Sequence, residues 1–464
     1  MQFKYHIHPS RIKSYKAHLE GHFISLDRLV IGHLMGLNLF KGVITIATLF
    51  LDTNAIMDLC HDEILVDPFV LSQMTLQELE ALKDNKNKSE STRRKARNAI
   101  KFLKKHATLY YTVPMNTDIL RYMDRFKMVD NPDNRICASA AYFNRHMIGD
   151  EEVEFLTMDV SCENIARDVF NLKIYDGTDL LELANKEYTG YTTITMDDDK
   201  MAEFYQSPGD NTYDLKRNQY IVVKNESDEV VDIQKWDGTA YVPLKDSPIK
   251  SKFFGNIKAY NNDIYQRMAI DALNTNKITM LKGRAGTGKS YLAVGWMMHA
   301  LETHKIDKII CFCNTVATMD SAKLGYYPGS RDEKLLDAQI GNFLKSKFGD
   351  KDYVKRMIDE GKLELYPLSD IRGFETGEIP CAVYITEAQN MSVNLMKLAL
   401  QRISDSAVCI IDGDYNTQVD LASYAGSNNG MRRVSEVYRG KSVYGEVKLI
   451  NNYRSEIANI AELM

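Results

Sequence analysis

The chain runs to 464 residues, too many for one ordinary core, so two or three domains are expected. Apolar residues make up 44% and charged residues 26%, and the net charge of −5 gives no global pull toward nucleic acid, so any polyanion contact must come from local basic patches. Seven scattered cysteines, odd in number and without a C-x-x-C pair, argue against a disulfide framework and a structural zinc site and fit a reducing cytoplasm.

Residues 1–42 hold five of the ten histidines without metal-ligand spacing and read as an N-terminal extension of unassigned role. Val30 to Leu51 is nearly continuous apolar sequence, but His33, Asn38 and Lys41 interrupt it. Only Val43–Leu51 reads as a buried strand, so no membrane span is expected.

From residue 43 to 187, strand signals alternate with amphipathic helices, the pattern of an α/β domain. The strands are Val43–Leu51, Thr108–Val113, Val153–Met158 and Leu172–Tyr175; helices are expected over Leu71–Lys83, Arg93–His106, Asn116–Phe126 and Arg135–Asn144. Four acids stand at or near element ends: Asp52, Glu78, Asp133 and Asp159. Asp52 and Asp159 each end a strand signal, and neighbouring parallel strands would bring their carboxylates together. Packed carboxylates raise one another's pKa unless a divalent cation neutralises them, which makes Mg²⁺ or Mn²⁺ the natural resolution. From spacing alone, unrelated surface acids are the simpler reading, and Asp130 rivals Asp133. Ten basic residues between Lys83 and Lys105, against Asp84 and Glu90, form either an RNA backbone path or a solvated helix face.

Residues 188–258 carry short β-type runs, Tyr220–Val223 and Val230–Ile233, and read as a small β module or ordered linker. Its Tyr205, Tyr213, Tyr220, Trp236 and Tyr241 are placed either to stack on bases or to fill a small core.

Residues 259–464 return to the α/β pattern, with strands expected at Ile278–Leu281, Lys308–Cys313, Leu363–Tyr366, Ala382–Ile385, Val408–Ile411 and Val447–Ile450, as in a doubly wound parallel sheet. Between the first of these and a helix signal stand Gly283, Arg284, Ala285, Gly286, Thr287, Gly288, Lys289 and Ser290. This is the phosphate-binding loop G-x-x-x-x-G-K-[ST]. The glycines let successive N–H groups face one anion, Lys289 reaches the β/γ-phosphates of ATP, and the Ser290 hydroxyl ligates Mg²⁺. The strand Ala382–Ile385 ends in Thr386 and Glu387, where a P-loop ATPase normally has an aspartate for the Mg²⁺ shell and an acid that polarises water. Glu387 fits the second role. Thr386 is neutral, so Mg²⁺ is expected to be held more weakly. Asp414 and Gln418 follow the next strand at the same edge as candidate γ-phosphate sensors, and Arg454 is a candidate arginine finger within the chain or across a subunit contact.

Over roughly 255–464 the chain resembles the PhoH-like ATPases: Asn262 with Gln266, the loop at 283–290, Lys323–Gly329, Thr386–Asn390, Gly413-Asp414 with Gln418, and Arg454–Ala458 carry the likeness. The resemblance implies a P-loop NTPase (RecA-like) sheet, adenine contact by Gln266, a motif at Gly413–Gln418 like that of superfamily 1 helicases, and ring-shaped homo-oligomers. Thr386 for aspartate, Asn314 where arginine is frequent, and a Gly413–Gln418 motif one residue longer than usual are the departures. Over about 44–186 the chain resembles PIN-domain ribonucleases, with Asp-Thr-Asn at the first acid and Thr-Met-Asp at the last. That resemblance implies an α/β/α fold and a metal cluster of Asp52, Glu78, Asp133 and Asp159. The two together imply a cytoplasmic enzyme that cleaves single-stranded RNA, or alternatively DNA, and couples this to ATP through a helicase-like motor. The alternatives are a ribonuclease gated by a slow or non-hydrolysing nucleotide switch, and a non-catalytic RNA-binding scaffold.

Overall fold

The computed structural model describes residues 48–62, 64–146, 153–185, 187–313, 351–367, 371, 374–416, 424 and 426–454. These fall into two compact units, one within 48–86 and 95–185, the other within 87–94 and 187–454. The N-terminal extension, Asn314, Lys323–Gly329, Gln418 and Ser455–Ala458 lie outside the described residues. Among the described residues no helix is long and apolar enough to cross a membrane.

The first unit is built on a five-stranded sheet of order β3-β2-β1-β4-β5, parallel throughout. Its elements are β1 (Thr48–Leu51), α1 (Thr53–Leu59), β2 (Phe69–Ser72), α2 (Gln73–Lys83), α3 (Glu90–Lys105), β3 (Tyr110–Val113), α4 (Thr117–Arg125), α5 (Pro132–His146), β4 (Val153–Leu156), α6 (Val160–Asn164), β5 (Lys173–Ile174) and α7 (Thr178–Asn185). Phe50 on β1 packs into one apolar layer and Leu51 into the other, as a central parallel strand covered on both faces requires. Helix starts are set by short polar caps: Asp52, Ser72, Asn116 and Asp159 each accept hydrogen bonds from the first turn that follows. In α3 the buried Ala96, Ala99, Phe102 and Leu103 recur at helical spacing, which turns Lys101, Lys104 and Lys105 outward.

The second unit holds a six-stranded parallel sheet of order β14-β13-β15-β16-β12-β17. Before it come β6 (Tyr191–Thr195), α8 (Asp198–Gln206), β7 (Gln219–Lys224), β8 (Val230–Trp236), β9 (Tyr241–Pro243), β10 (Ile249–Ser251), β11 (Gly255–Ile257) and α9 (Ile264–Thr275). The sheet and its helices are β12 (Ile278–Lys282), α10 (Lys289–Glu302), β13 (Lys308–Cys313), α11 (Lys351–Asp359), β14 (Leu363–Pro367), β15 (Cys381–Ile385), α12 (Val393–Leu400), β16 (Val408–Gly413), α13 (Gly430–Tyr438) and β17 (Tyr444–Lys448). The expected α/β class and P-loop sheet are present. Three expectations needed adjustment. The strand β2 was absent from the sequence reading, which ran a helix from Leu71. Phe69–Ser72 is instead fully buried beside β1, and Ser72 caps the helix behind it. The last strand begins three residues before the expected Val447 because the polar Glu446 is buried within it. The region 188–258, read from β-type runs alone, also holds a helix, α8, capped by Asp197.

Residues 191–243 form a mixed four-stranded sheet, β6-β7-β8-β9, whose Trp236, Tyr241, Phe204 and Tyr213 form an aromatic core, with Tyr205 more exposed. Its other face joins α9 through a buried charge cluster. The Asp271 carboxylate accepts from Lys235 Nζ at 2.6 Å, Tyr220 OH at 2.7 Å and Lys245 N at 2.7 Å. Asp271 and Lys235 are both buried, so each neutralises a charge that could not otherwise leave water. Removing one partner is therefore expensive. Asp271→Ala is expected to destabilise the protein by about 3–5 kcal/mol in urea unfolding. Lys224→Ala, which breaks an exposed pair with Asp228, should cost no more than about 1 kcal/mol.

Candidate active sites

In the first unit the parallel pairing of β1 with β4 sets Leu51 opposite Leu156, so Asp52 and Thr157 leave the sheet side by side. The Thr157 hydroxyl donates to Asp52 Oδ2 and accepts from Asp159 N at 3.0 Å, linking the two strand ends. Asp52 Oδ1 accepts from Ala55 N at 2.6 Å. Glu78 comes from the middle of α2 and accepts from the Thr53 hydroxyl. Asp133 lies in the first turn of α5. Its rival Asp130 is exposed and clamped by the Arg135 guanidinium at 2.5 and 2.7 Å, which leaves Asp133 as the acid that faces the others.

The acids are within electrostatic reach of one another. Asp52 is only 4% exposed, and its burial, aided by the charge of Asp133, pushes its carboxyl up from 3.8 to about 6 despite the Ala55 and Thr157 hydrogen bonds. Glu78 is raised by burial and then by Asp133 and Asp52. Asp133 is raised by burial and by Asp159. Among the described residues no three carboxylate, histidine or cysteine side chains close around a point as a finished metal cage. The donor set nonetheless suits a divalent cation: oxygen ligands only, partly desolvated, crowded with like charge. Asp159 Oδ1 is also engaged, accepting from Ser161 N at 2.8 Å and Cys162 N at 3.1 Å.

Several of the basic residues over Lys83–Lys105 are paired locally: Lys83 with Glu80, Arg93 with Glu90, Lys95 with Asp58 and Lys105 with Asp62. These acids blunt the basic stretch that the sequence suggested.

In the second unit β12 runs into the loop at Gly283–Gly288, and α10 begins at Lys289. Gly283, Gly286 and Gly288 have φ of 140°, 88° and 93°, a region side chains avoid. Close packing excludes a Cβ as well. One at Gly283 would collide with the Leu449 carbonyl, and one at Gly286 with the Arg454 side chain. Arg454 therefore lies against the loop of its own chain. Within the loop, Thr287 Oγ1 donates to the Arg284 carbonyl at 3.0 Å, and Lys289 Nζ donates to the Gly283 and Arg284 carbonyls. Ala285 is the loop's remaining small residue, between Arg284 and Gly286.

Gln266, expected from the resemblance to contact adenine, has both ends of its amide engaged within the chain. Its Oε1 accepts from Tyr260 N at 2.8 Å, and its Nε2 donates to the Thr287 carbonyl at 3.1 Å. Glu387, just past β15, sits at φ 50°, ψ 39° and accepts from Gln389 Nε2 at 2.6 Å. Gln389 Oε1 in turn accepts from Asp414 N at 3.3 Å, so one amide ties both candidate acids together. The sequence reading did not single out Thr53, Thr157, Tyr384, Gln389 or Asp412. Of these, Asp412 is the next-to-last residue of β16 and accepts a hydrogen bond from the P-loop Ser290 at 3.0 Å. Its two neighbouring polar groups in the sequence, Asp414 and Gln418, masked that signal.

Comparison with known proteins finds both domains. The family model for PhoH-like protein matches residues 257–460, and the model for the PIN domain matches 49–169. This chain joins a PIN domain to a PhoH-like domain. Protein PhoH2 of Bacillus subtilis is 28% identical over 315 residues, 64% of this chain and 67% of that protein. A PhoH-like protein of the same organism is 34% identical over 177 residues, 38% of this chain and 53% of its own length. Protein PhoH2 of Thermobispora bispora is 30% identical over 203 residues, 43% and 45% of the two lengths. The matched segments thus span about half of the latter two relatives. The two domains support an ATPase plus ribonuclease-type role in general, and such families generally use a nucleotide and a divalent metal.

The raised carboxyl of Asp52 sets a pH dependence. A carboxyl lifted from 3.8 to about 6 favours the folded state while protonated, and that contribution is lost as pH rises through about 6. The ionised form is then disfavoured by about 3 kcal/mol unless a cation offsets it. Mn²⁺ is expected to raise the melting temperature of the PIN transition at pH 7.5 much more than at pH 5. In Asp52→Asn the metal-free protein should melt higher than wild type at pH 7.5, and the Mn²⁺ response should shrink. Calorimetric scans at the two pH values check both outcomes.

Proposed function

We propose that this chain is an ATP-dependent RNA-processing enzyme, in which a metal-dependent PIN endoribonuclease and a PhoH-like helicase-type motor act on the same single-stranded RNA. The crowding of Asp52, Glu78 and Asp133, with the buried Asp52 carboxyl held up to about 6, is the observation that carries the nuclease half. Such a site has a reason to bind a divalent cation at neutral pH, and a cation bound there supplies polarisation of water and stabilisation of a departing oxygen. The remaining work belongs to the chain's own groups. Asp52 and Asp159, linked by Thr157, fix the edge of the site; Glu78 and Asp133 stand as proton acceptors for water. Hydrolysis adds the water oxygen to phosphorus and expels one sugar oxygen, which takes up a proton.

For the motor half, the loop at Gly283–Ser290 would hold the triphosphate of ATP, with Lys289 leaving the Gly283 and Arg284 carbonyls for phosphate oxygens and Ser290 serving Mg²⁺. Glu387 would orient the attacking water; the bond between the γ-phosphorus and its bridging oxygen breaks as the water oxygen adds. Arg454, lying against Gly286, supports charge neutralisation within the chain. Asp414 and Gln418 complete the reading as sensors of the γ-phosphate. A soluble cytoplasmic homo-oligomer, a ring in particular, belongs to the same proposal, as does RNA over DNA as substrate.

A second reading has one specific observation behind it. Thr386 is neutral where P-loop ATPases carry an aspartate, which favours a slow nucleotide switch gating the nuclease. ATP turnover stimulated by RNA rejects that reading.

The experiment is cleavage of an end-labelled single-stranded RNA with Mg²⁺ or Mn²⁺, with and without ATP. Asp52→Asn is expected to lower the cleavage rate by at least about 100-fold, in line with loss of a metal ligand or its support. Lys289→Ala should abolish the ATP effect and leave ATP-independent cleavage in place. Cleavage by Asp52→Asn at the wild-type rate would overturn the proposal.

A further inference from the structure

A P-loop enzyme holds its Mg²⁺ through the hydroxyl that closes the loop and through a carboxylate from a nearby strand end. In this chain the expected carboxylate position is Thr386, which carries no charge. Strand pairing shows what stands beside it. Ile385 is opposite Ile411, which sets Thr386 beside Asp412, and Asp412 itself is still in the sheet, opposite Leu281 of the P-loop strand.

The Asp412 side chain turns to the face where α10 begins. Its Oδ2 accepts from Ser290 Oγ at 3.0 Å and from Tyr384 OH at 2.6 Å, and its Oδ1 accepts from Glu387 N at 3.3 Å. It is 2% exposed. These contacts join the closing hydroxyl of the loop, the strand that lacks its aspartate and the backbone of the candidate water-orienting acid. An aspartate serving only to knit elements together could be replaced by an amide, which accepts and donates without the desolvation cost of a buried charge. Hydroxyl and carboxylate oxygens, both hard donors, suit Mg²⁺.

We propose that Asp412 supplies the carboxylate that Thr386 lacks, so that Ser290 and Asp412 together hold the Mg²⁺ of a bound nucleotide. The role has moved one strand across the sheet, from the residue after β15 to the next-to-last residue of β16. This inference rests on the P-loop reading above. Asp412 is a positioning residue for the ion and its water shell, distinct in function from Glu387.

The test reads nucleotide affinity, not turnover. Titration calorimetry of the full chain with ATP is run in Mg²⁺ and in EDTA, for wild type, Asp412→Asn, and the exchange variant Thr386→Asp with Asp412→Thr. In wild type Mg²⁺ should tighten ATP binding. Asp412→Asn is expected to reduce that tightening by about 10–100-fold, the usual scale for loss of a group supporting a metal, with affinity in EDTA near wild type. The exchange variant should regain the Mg²⁺ dependence. Undiminished Mg²⁺ tightening in Asp412→Asn overturns the inference, and so does an equal loss of affinity with and without Mg²⁺. If Asp412→Asn fails to fold, the exchange variant decides alone: recovered Mg²⁺ dependence supports the inference and its absence overturns it. Wild type that binds no ATP in either buffer removes the P-loop reading itself, and this inference falls with it.

Discussion

Both units depend on the same constraint: a parallel sheet delivers the ends of all its strands to one edge, and polar groups gathered there must find partners or a cation. The two units meet it differently. Asp52 lies buried at its edge with Asp133 and Glu78 nearby, and two hydrogen bonds fall short of offsetting the desolvation, so its carboxyl rises to about 6. Asp412 is equally buried but accepts from Ser290, Tyr384 and the Glu387 N–H. Hydrogen bonds to a charged group contribute about 1.5–3 kcal/mol each, enough to offset much of such a burial. The PIN edge thus crowds like charges together, whereas the P-loop edge gathers three hydrogen-bond donors on one carboxylate.

Buried and half-buried ion pairs organise the second unit around its loop. Lys282, the residue before Gly283, lies beneath the sheet edge with its ammonium 2.6 Å from Glu446 and 3.1 Å from Glu187, and it donates to the Tyr188 carbonyl. Burial works against the cation, yet Glu446, Tyr415 and Glu187 together outweigh it and lift Lys282 above its usual range. Glu446 is held in turn by Ser435 and Tyr444, and Glu187 by Lys448. Such pairs contribute little net stability but penalise any arrangement that separates them. The consequence is positional: residues 187–190 are pinned to the strand that launches the phosphate loop, and Lys235 with Asp271 fastens the four-stranded sheet to α9. Residues 188–258 behave as part of that unit and not as a free linker.

Much of this was legible in the sequence, and the limits have physical causes. Runs such as Ile278–Leu281 and Lys308–Cys313 announce buried parallel strands because no charged residue stands inside them. Phe69–Ser72 was unreadable because it abuts a helix without a turn, its last residue being that helix's cap. Tyr444–Lys448 was read three residues late because a glutamate inside a strand signals exposure, and its lysine partner is 164 residues away. The four PIN acids could be chosen because their residue types carry the chemistry. Thr53 and Thr157, which orient two of them, could not, since a hydroxyl acquires that role only through register. At Gln266 the motif pointed to adenine, and the fold adds a contact no motif could show: the amide also joins Tyr260 to Thr287 of the phosphate loop.

The geometry around Glu387 explains why its neighbours matter as much as its own carboxylate. A non-glycine residue at φ 50° costs roughly 1–2 kcal/mol and persists only where its surroundings impose it. Here the imposing contacts are named. Asp412 takes the Glu387 N–H, Gln389 takes its carboxylate, and the Asn390 N–H donates to the Glu387 carbonyl at 3.2 Å. Asn429 fixes the Gln389 carbonyl at 2.8 Å, and a Cβ at Gly413 would collide with the Gln389 side chain, so glycine there is required by the amide's position. Because Asp412 also takes the Ser290 hydroxyl, one carboxylate holds both the end of the phosphate loop and the backbone of the acid beyond β15. Ser290 and Glu387 thus share a single partner, a far shorter connection between the phosphate loop and the acid beyond β15 than any that runs through the sheet.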